Sequence, residues 1–83
     1  MSRDSAIRNA ALARLRRARE REKRACEARD EALRLADETD SPSAAEALRT
    51  EAQRHEKAAQ LQRAAAELQA EHLRQHGGAQ VEP

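Results

Sequence analysis

Residues 37 to 46 read DETDSPSAAE, and this stretch decides the fold because its proline interrupts a long run of residues that favour helix. Asp40 or Ser41 can cap a new helix that has Pro42 in its first turn. Alternatively, Ser43 and Glu46 can form a capping box. Both arrangements end one helix and begin another, so the stretch predicts a bend between two helices.

The segments on either side of the bend contain no glycine or proline before the C-terminal tail, and they are predicted to be helical. The predicted hairpin covers residues 1–76, with a first helix over about 4–38, a turn over about 39–43 and a second helix over about 43–76. Gly77 and Gly78 are expected to stop the second helix, which leaves residues 77–83 as a flexible tail. Because the connection is short, the helices are expected to run antiparallel.

The composition excludes a conventional globular core. Of the 83 residues, 20 are Ala and 8 are Leu, and the chain has no Phe, Tyr or Trp. The 16 basic and 15 acidic residues nearly cancel, which argues against the high net charge that is typical of disordered chains. Since Ala, Arg, Glu, Gln and Leu favour helix, we predict an all-α fold, an Ala-rich coiled coil of two antiparallel helices.

Alanine recurs every seven residues in both predicted helices, which is the spacing of residues that face a partner helix. Folding the chain about residue 40 pairs positions whose numbers add to 80, so Ala32 lies opposite Leu48 and Ile7 lies opposite Leu73. The predicted interface residues are Ile7, Ala11, Ala18, Ala25, Ala28, Ala32, Leu35, Ala45, Leu48, Ala52, His55, Ala59, Ala66 and Leu73.

Like charges flank the interface in this pairing. Glu22 is expected near Glu56, and Arg29 near Arg49. Such contacts destabilise a helix pair modestly. A shift of the pairing by one heptad therefore stays open as an alternative.

Several apolar side chains lie outside the predicted interface. Rows of this kind usually contact a partner protein or a second copy of the chain. The candidate oligomer or partner surface residues lie in two rows on opposite sides of the hairpin: Leu12, Leu15 and Leu33 of the first helix, and Ala58, Leu61, Ala65 and Leu68 of the second. We predict a homodimer that forms a four-helix bundle, because the Ala interface alone would leave a monomer marginally stable.

Residues 16 to 24, RRAREREKR, carry eight charged side chains in nine positions. Arg14, Arg17, Arg21 and Arg24 follow a 3, 4, 3 spacing and therefore line one edge of the first helix beside the interface. No carboxylate is predicted opposite them, so they form a candidate anion-binding row. They can bind phosphate or an acidic protein surface, or their stems can cover the alanines while their heads stay in water.

No catalytic or cofactor motif is recognisable in the chain. His72 and His76 have a spacing that can share a metal ion, but two ligands are too few for a site. Cys26 and His55 lie at a similar height, yet Cys26 projects away from the interface, so a nucleophilic pair is not expected. Because two thin helices offer no concave pocket, we expect no enzyme, no cofactor and no metal site.

Two functions fit these patterns. The first is a non-catalytic interaction module that self-associates and binds a protein partner, with a regulatory role. The second is nucleic-acid binding of low sequence specificity through the arginine row, since residues 2–36 carry 11 basic and 6 acidic groups, a net charge of +5. The absence of aromatic residues removes base-stacking platforms, so we rank the first function above the second.

The predicted architecture is similar to that of the Rop family, plasmid RNA-binding hairpins that dimerise into four-helix bundles with Ala-rich layers. This resemblance concerns overall shape, and it implies RNA binding as a form of the second function.

The sequence also bears on location. Residues 1 to 10, MSRDSAIRNA, lack the apolar core of a secretion signal, and no window is apolar enough to span a membrane. We therefore expect a cytoplasmic protein that does not contact membranes. The excess of Arg over Lys, 14 to 2, together with abundant Ala, is typical of a GC-rich bacterial genome.

Overall fold

The computed structural model describes residues 3–75, and they form two α-helices, α1 (Arg3–Glu38) and α2 (Pro42–Leu73). The helices pack against each other as a hairpin that is 61 Å long and 18 × 16 Å across. The predicted helical hairpin is therefore confirmed. The predicted end of the second helix at residue 76 and the tail at 77–83 lie outside the described residues. Within residues 3–75, neither helix has an apolar stretch long enough to cross a membrane.

The bend is a three-residue connection with a helix cap. Ser41 has an extended backbone, with φ −92° and ψ 117°, and its Oγ accepts a hydrogen bond from the backbone N–H of Ala44 at 3.3 Å. Pro42 occupies the first turn of α2, where its missing N–H costs no helical hydrogen bond. Of the capping arrangements that the sequence allows, the structure has the one with Ser41 as the cap.

The contact between α1 and α2 is built from alanine. All of the buried apolar residues in the described part of the chain are Ala: Ala11, Ala18, Ala32, Ala36, Ala45, Ala52, Ala59 and Ala66. Such short side chains let the two helix backbones approach closely. They also bury little apolar area, because each contributes only one methyl group.

The second row of interface positions on α1 differs from the expected one. Ala36 is 3% exposed and faces α2, whereas Leu35 is 39% exposed and lies beside the interface. A leucine at position 36 would hold the closely spaced helices apart, whereas the smaller side chain of Ala36 does not. Ile7 is likewise exposed, at 47%.

The remaining predicted interface residues are half-buried and border the buried alanines: Ala25, Ala28, Leu48, His55 and Leu73. At the open end of the hairpin, Leu73 lines a shallow cleft with Arg8, Leu12 and Arg74. This cleft shows that the end of α2 lies beside the beginning of α1.

Opposite charges, not like charges, meet across the interface. Arg29 Nη1 donates to Glu56 Oε1 at 2.5 Å, and Arg63 Nε donates to Glu22 Oε2 at 2.9 Å. The expected contacts of Glu22 with Glu56 and of Arg29 with Arg49 are therefore wrong. Both acids have an arginine of the other helix as their hydrogen-bond donor.

Candidate interaction surfaces

The alanine interface divides the hairpin surface into two faces. One face carries the interhelical pairs Arg29–Glu56 and Glu22–Arg63, and we name it the ion-pair face. On α2, Glu56 and Arg63 each follow a buried Ala by four residues, whereas Leu61 and Leu68 each follow one by two. At 100° per residue these two sets project to opposite sides of the helix.

The second face carries most of the exposed bulky apolar side chains. Leu61 and Leu68 are 70% and 71% exposed, the largest values among the described apolar residues of their size. Ile7 and Leu35 of α1 project to the same side. We name this surface, defined by Ile7, Leu35, Leu61 and Leu68, the leucine face. Ala58 and Ala65 lie between its leucines and the interface, which makes the α2 stripe continuous.

The three leucines of α1 among the predicted surface residues were expected on the side of the hairpin opposite this stripe, and none of them lies on the leucine face. Leu15 is half-buried in the interface row that also contains Ala36, and Leu12 lines the cleft at the open end. Leu33 is 42% exposed and lies on the ion-pair face. Of the predicted surface residues, Leu61 and Leu68 lie on the leucine face, and Ala58 and Ala65 lie beside them.

Arg14 and Arg21 of the predicted arginine row lie between Ile7 and Leu35 in the same heptad row of α1, and Arg17 and Arg24 lie beside them. All four side chains are exposed. Among residues 3–75, Arg14, Arg17 and Arg21 form no ion pair. Arg24 lies 3.8 Å from Glu20, and both side chains are at least 70% exposed. Exposed pairs at this distance contribute little, so the row presents nearly its full positive charge to water.

The ion-pair face is neutralised internally. The hydrogen bond from Arg29 holds the pKa of Glu56 below its ordinary value, and a second bond from Gln60 acts in the same direction. In return, the pKa of Arg29 is raised by Glu56 and that of Arg63 by Glu22. Cys26 is half-buried next to these arginines. The charges here satisfy one another, so this face offers few free groups to a partner.

Charge is distributed unevenly along the hairpin. We name residues 3–24 and 56–75 the open half and residues 25–55 the turn half. The open half has 12 basic and 6 acidic side chains, a net charge of +6, whereas the turn half has 4 basic and 8 acidic ones, a net charge of −4. The hairpin is therefore basic at one end and acidic at the other.

The described residues contain no group of three or more His, Cys, Asp or Glu side chains that could hold a metal ion. His55 Nε2 lies 3.4 Å from Glu51 Oε1 on the same helix. Cys26 lies on the ion-pair face, away from His55. The second histidine of the sequence pair, His76, lies outside the described part of the chain.

Comparisons with family models, curated proteins and solved structures gave no match.

The sequence reasoning missed Glu22 and Arg29 as interface residues. Both belong to the heptad row that contains Ala36, which is one residue away from the predicted row that contains Leu35. A signal for them was present, because position 22 with 63 and position 29 with 56 both add to 85 and both join opposite charges. Two pairs of oppositely charged residues whose numbers have the same sum indicate one edge of an antiparallel interface.

Proposed function

We propose that this chain is a non-catalytic interaction module that dimerises through its leucine face into a four-helix bundle and binds a protein partner. The observation that carries the proposal is the exposure of Leu61 and Leu68, at 70% and 71%. Exposed apolar rows on a helix favour contact with another apolar surface.

The nature of the α1–α2 contact supports the same proposal. A hairpin held together by buried alanines gains little from the hydrophobic effect, while ordering two long helices costs conformational entropy. Covering Leu61 and Leu68 with a second copy adds apolar burial where the single hairpin lacks it. Helical hairpins commonly obtain their stability in this way.

The test is to replace Leu61→Gln together with Leu68→Gln and to measure the mass by light scattering and the helicity by circular dichroism. We expect the double variant to become monomeric and to lose helicity, because amide groups resist burial without hydrogen-bond partners. The matched control is Leu33→Gln on the ion-pair face, which should keep the wild-type mass. Wild-type mass and melting in the double variant would contradict the proposal.

The arginine row supports the partner-binding part of the proposal. Arg14, Arg17 and Arg21 have no acidic partner in the described chain, so an acidic protein surface can pair with them without first breaking an intramolecular bond. Guanidinium groups in a row along a helix edge suit carboxylates presented at similar spacing.

The exposed arginine row also favours a second candidate function, binding of a nucleic-acid backbone by the open half. Its net charge of +6 can attract phosphates, and the absence of aromatic residues implies weak sequence preference.

Binding of the chain to duplex RNA should then weaken steeply with added salt and should drop when Arg14, Arg17 and Arg21 are changed to Gln. The charge-matched control changes Arg34, Arg49 and Arg54 of the turn half to Gln. Equal losses in both triple variants, or no binding near 0.15 M salt, would contradict this candidate.

A further inference from the structure

We propose that the second copy docks on the leucine face in the antiparallel orientation, so that the two turns lie at opposite ends of the four-helix bundle. This rests on the self-association proposed above and adds the orientation of the partner copy. It follows from the uneven charge along the hairpin.

In a parallel dimer, each half would lie against the same half of the other copy. The two open halves, each with a net charge of +6, and the two turn halves, each with −4, would then repel each other along the bundle. In an antiparallel dimer, each open half lies against a turn half of opposite net charge. At physiological salt, screening acts over about 8 Å. On a hairpin 61 Å long, local matching of halves therefore decides the orientation, and the small total charge does not.

The apolar residues of the leucine face are spread along the hairpin. Ile7 and Leu35 lie near opposite ends of α1, whereas Leu61 and Leu68 both lie in the open half, where an antiparallel copy covers them with its turn half. An antiparallel second copy also places Ile7 of one copy and Leu35 of the other at the same level along the bundle. A parallel copy places each apolar side chain at the level of its own equivalent, next to a half of like charge.

The orientation is measured by the distance between spin labels at the turn. Cys26→Ala removes the native thiol, and Ser43→Cys places a label at an exposed position in the first turn of α2. Pulsed electron paramagnetic resonance on the labelled dimer should give a distance close to the hairpin length of 61 Å. A distance within about 20 Å, two helix diameters, would overturn the antiparallel orientation and leave self-association intact. A monomeric mass by sedimentation would overturn self-association and the orientation together.

A charge-matched pair of variants tests the cause independently of the label. Glu27→Gln with Glu51→Gln removes two negative charges from the turn half on the side of the leucine face, and Glu20→Gln with Glu67→Gln removes two from the open half. If opposite halves meet, the first variant weakens the dimer several-fold and the second does not. The reverse order, or equal effects of the two variants on the dissociation constant, would overturn the proposal.

Discussion

Alanine at the buried positions of α2 sets how closely the helices approach. Ala59 is 0% exposed, so a larger side chain has no space there without displacing α1. Ala59→Leu is expected to lower the free energy of unfolding by about 1–3 kcal/mol, the usual cost of overpacking a tight interface. The effect is measured by urea unfolding followed by circular dichroism.

Ala64→Leu is the control for this substitution, because Ala64 is exposed on the same helix. The control should change stability by less than about 0.5 kcal/mol. If Ala59→Leu is as stable as the wild type, the two helices do not approach through these alanines.

The carboxylate of Glu56 links stability to pH. Its pKa in the folded chain is lowered by the Arg29 hydrogen bond, from an ordinary value of 4.5. A lowered pKa in the folded state stabilises the protein above the unfolded pKa, and this contribution is lost as the pH falls through the folded value. Glu56→Gln should therefore be less stable than the wild type at pH 7, and the difference should shrink as the pH falls below 4.5.

The control for Glu56→Gln is Glu67→Gln, because Glu67 is exposed and forms no ion pair within residues 3–75. Thermal melts at several pH values compare the two variants with the wild type. A constant difference between wild type and Glu56→Gln from pH 7 to pH 2 would show that the charge of the Glu56 carboxylate does not contribute to stability.

Single residues show where sequence reasoning is informative. The heptad spacing of alanine indicates one face of each helix, and seven of these eight alanines are buried. The second interface row on α1 was harder to choose, because the candidate rows were one residue apart and each contained charged residues. Close packing at Ala36 and the two interhelical ion pairs select the observed row, and both depend on the distance between the helices.

The start of α2 depends on its cap. Ser41 Oγ satisfies the N–H of Ala44, which has no partner within the helix. Ser41→Ala is expected to cost about 1 kcal/mol, whereas Ser41→Asp should keep most of the stability, since aspartate also caps helices. The measurement is thermal unfolding of both variants. An alanine variant as stable as the wild type would show that the bend is held by helix packing alone.

The sequence predicts the bend and the start of α2 well for a physical reason. Pro42 cannot continue α1, and a serine directly before a proline is a common way to begin a helix. The choice among Asp40, Ser41 and Ser43 as the cap could not be made from sequence, because all three side chains can accept the bond. The observed connection of three residues leaves Ser41 in the required extended backbone.

For the whole molecule, the composition excludes a large core and the bend predicts two helices, so the hairpin could be derived before the structure was known. The leucine face could be only partly derived. The sequence shows which side chains are apolar, but their grouping depends on which row of α1 faces α2. Once that row is fixed, Leu15 belongs to the interface and Leu33 to the ion-pair face.

Self-association through the exposed leucine face is the proposal on which the four-helix bundle and its orientation depend. Sedimentation equilibrium of the wild-type chain over a wide concentration range tests it most directly, because association depends on concentration by mass action. If a second copy covers the leucine face, the mass rises from 9.3 kDa towards twice that value as concentration increases, and helicity rises in parallel. A mass of 9.3 kDa at every concentration, with unchanged helicity, would contradict this proposal.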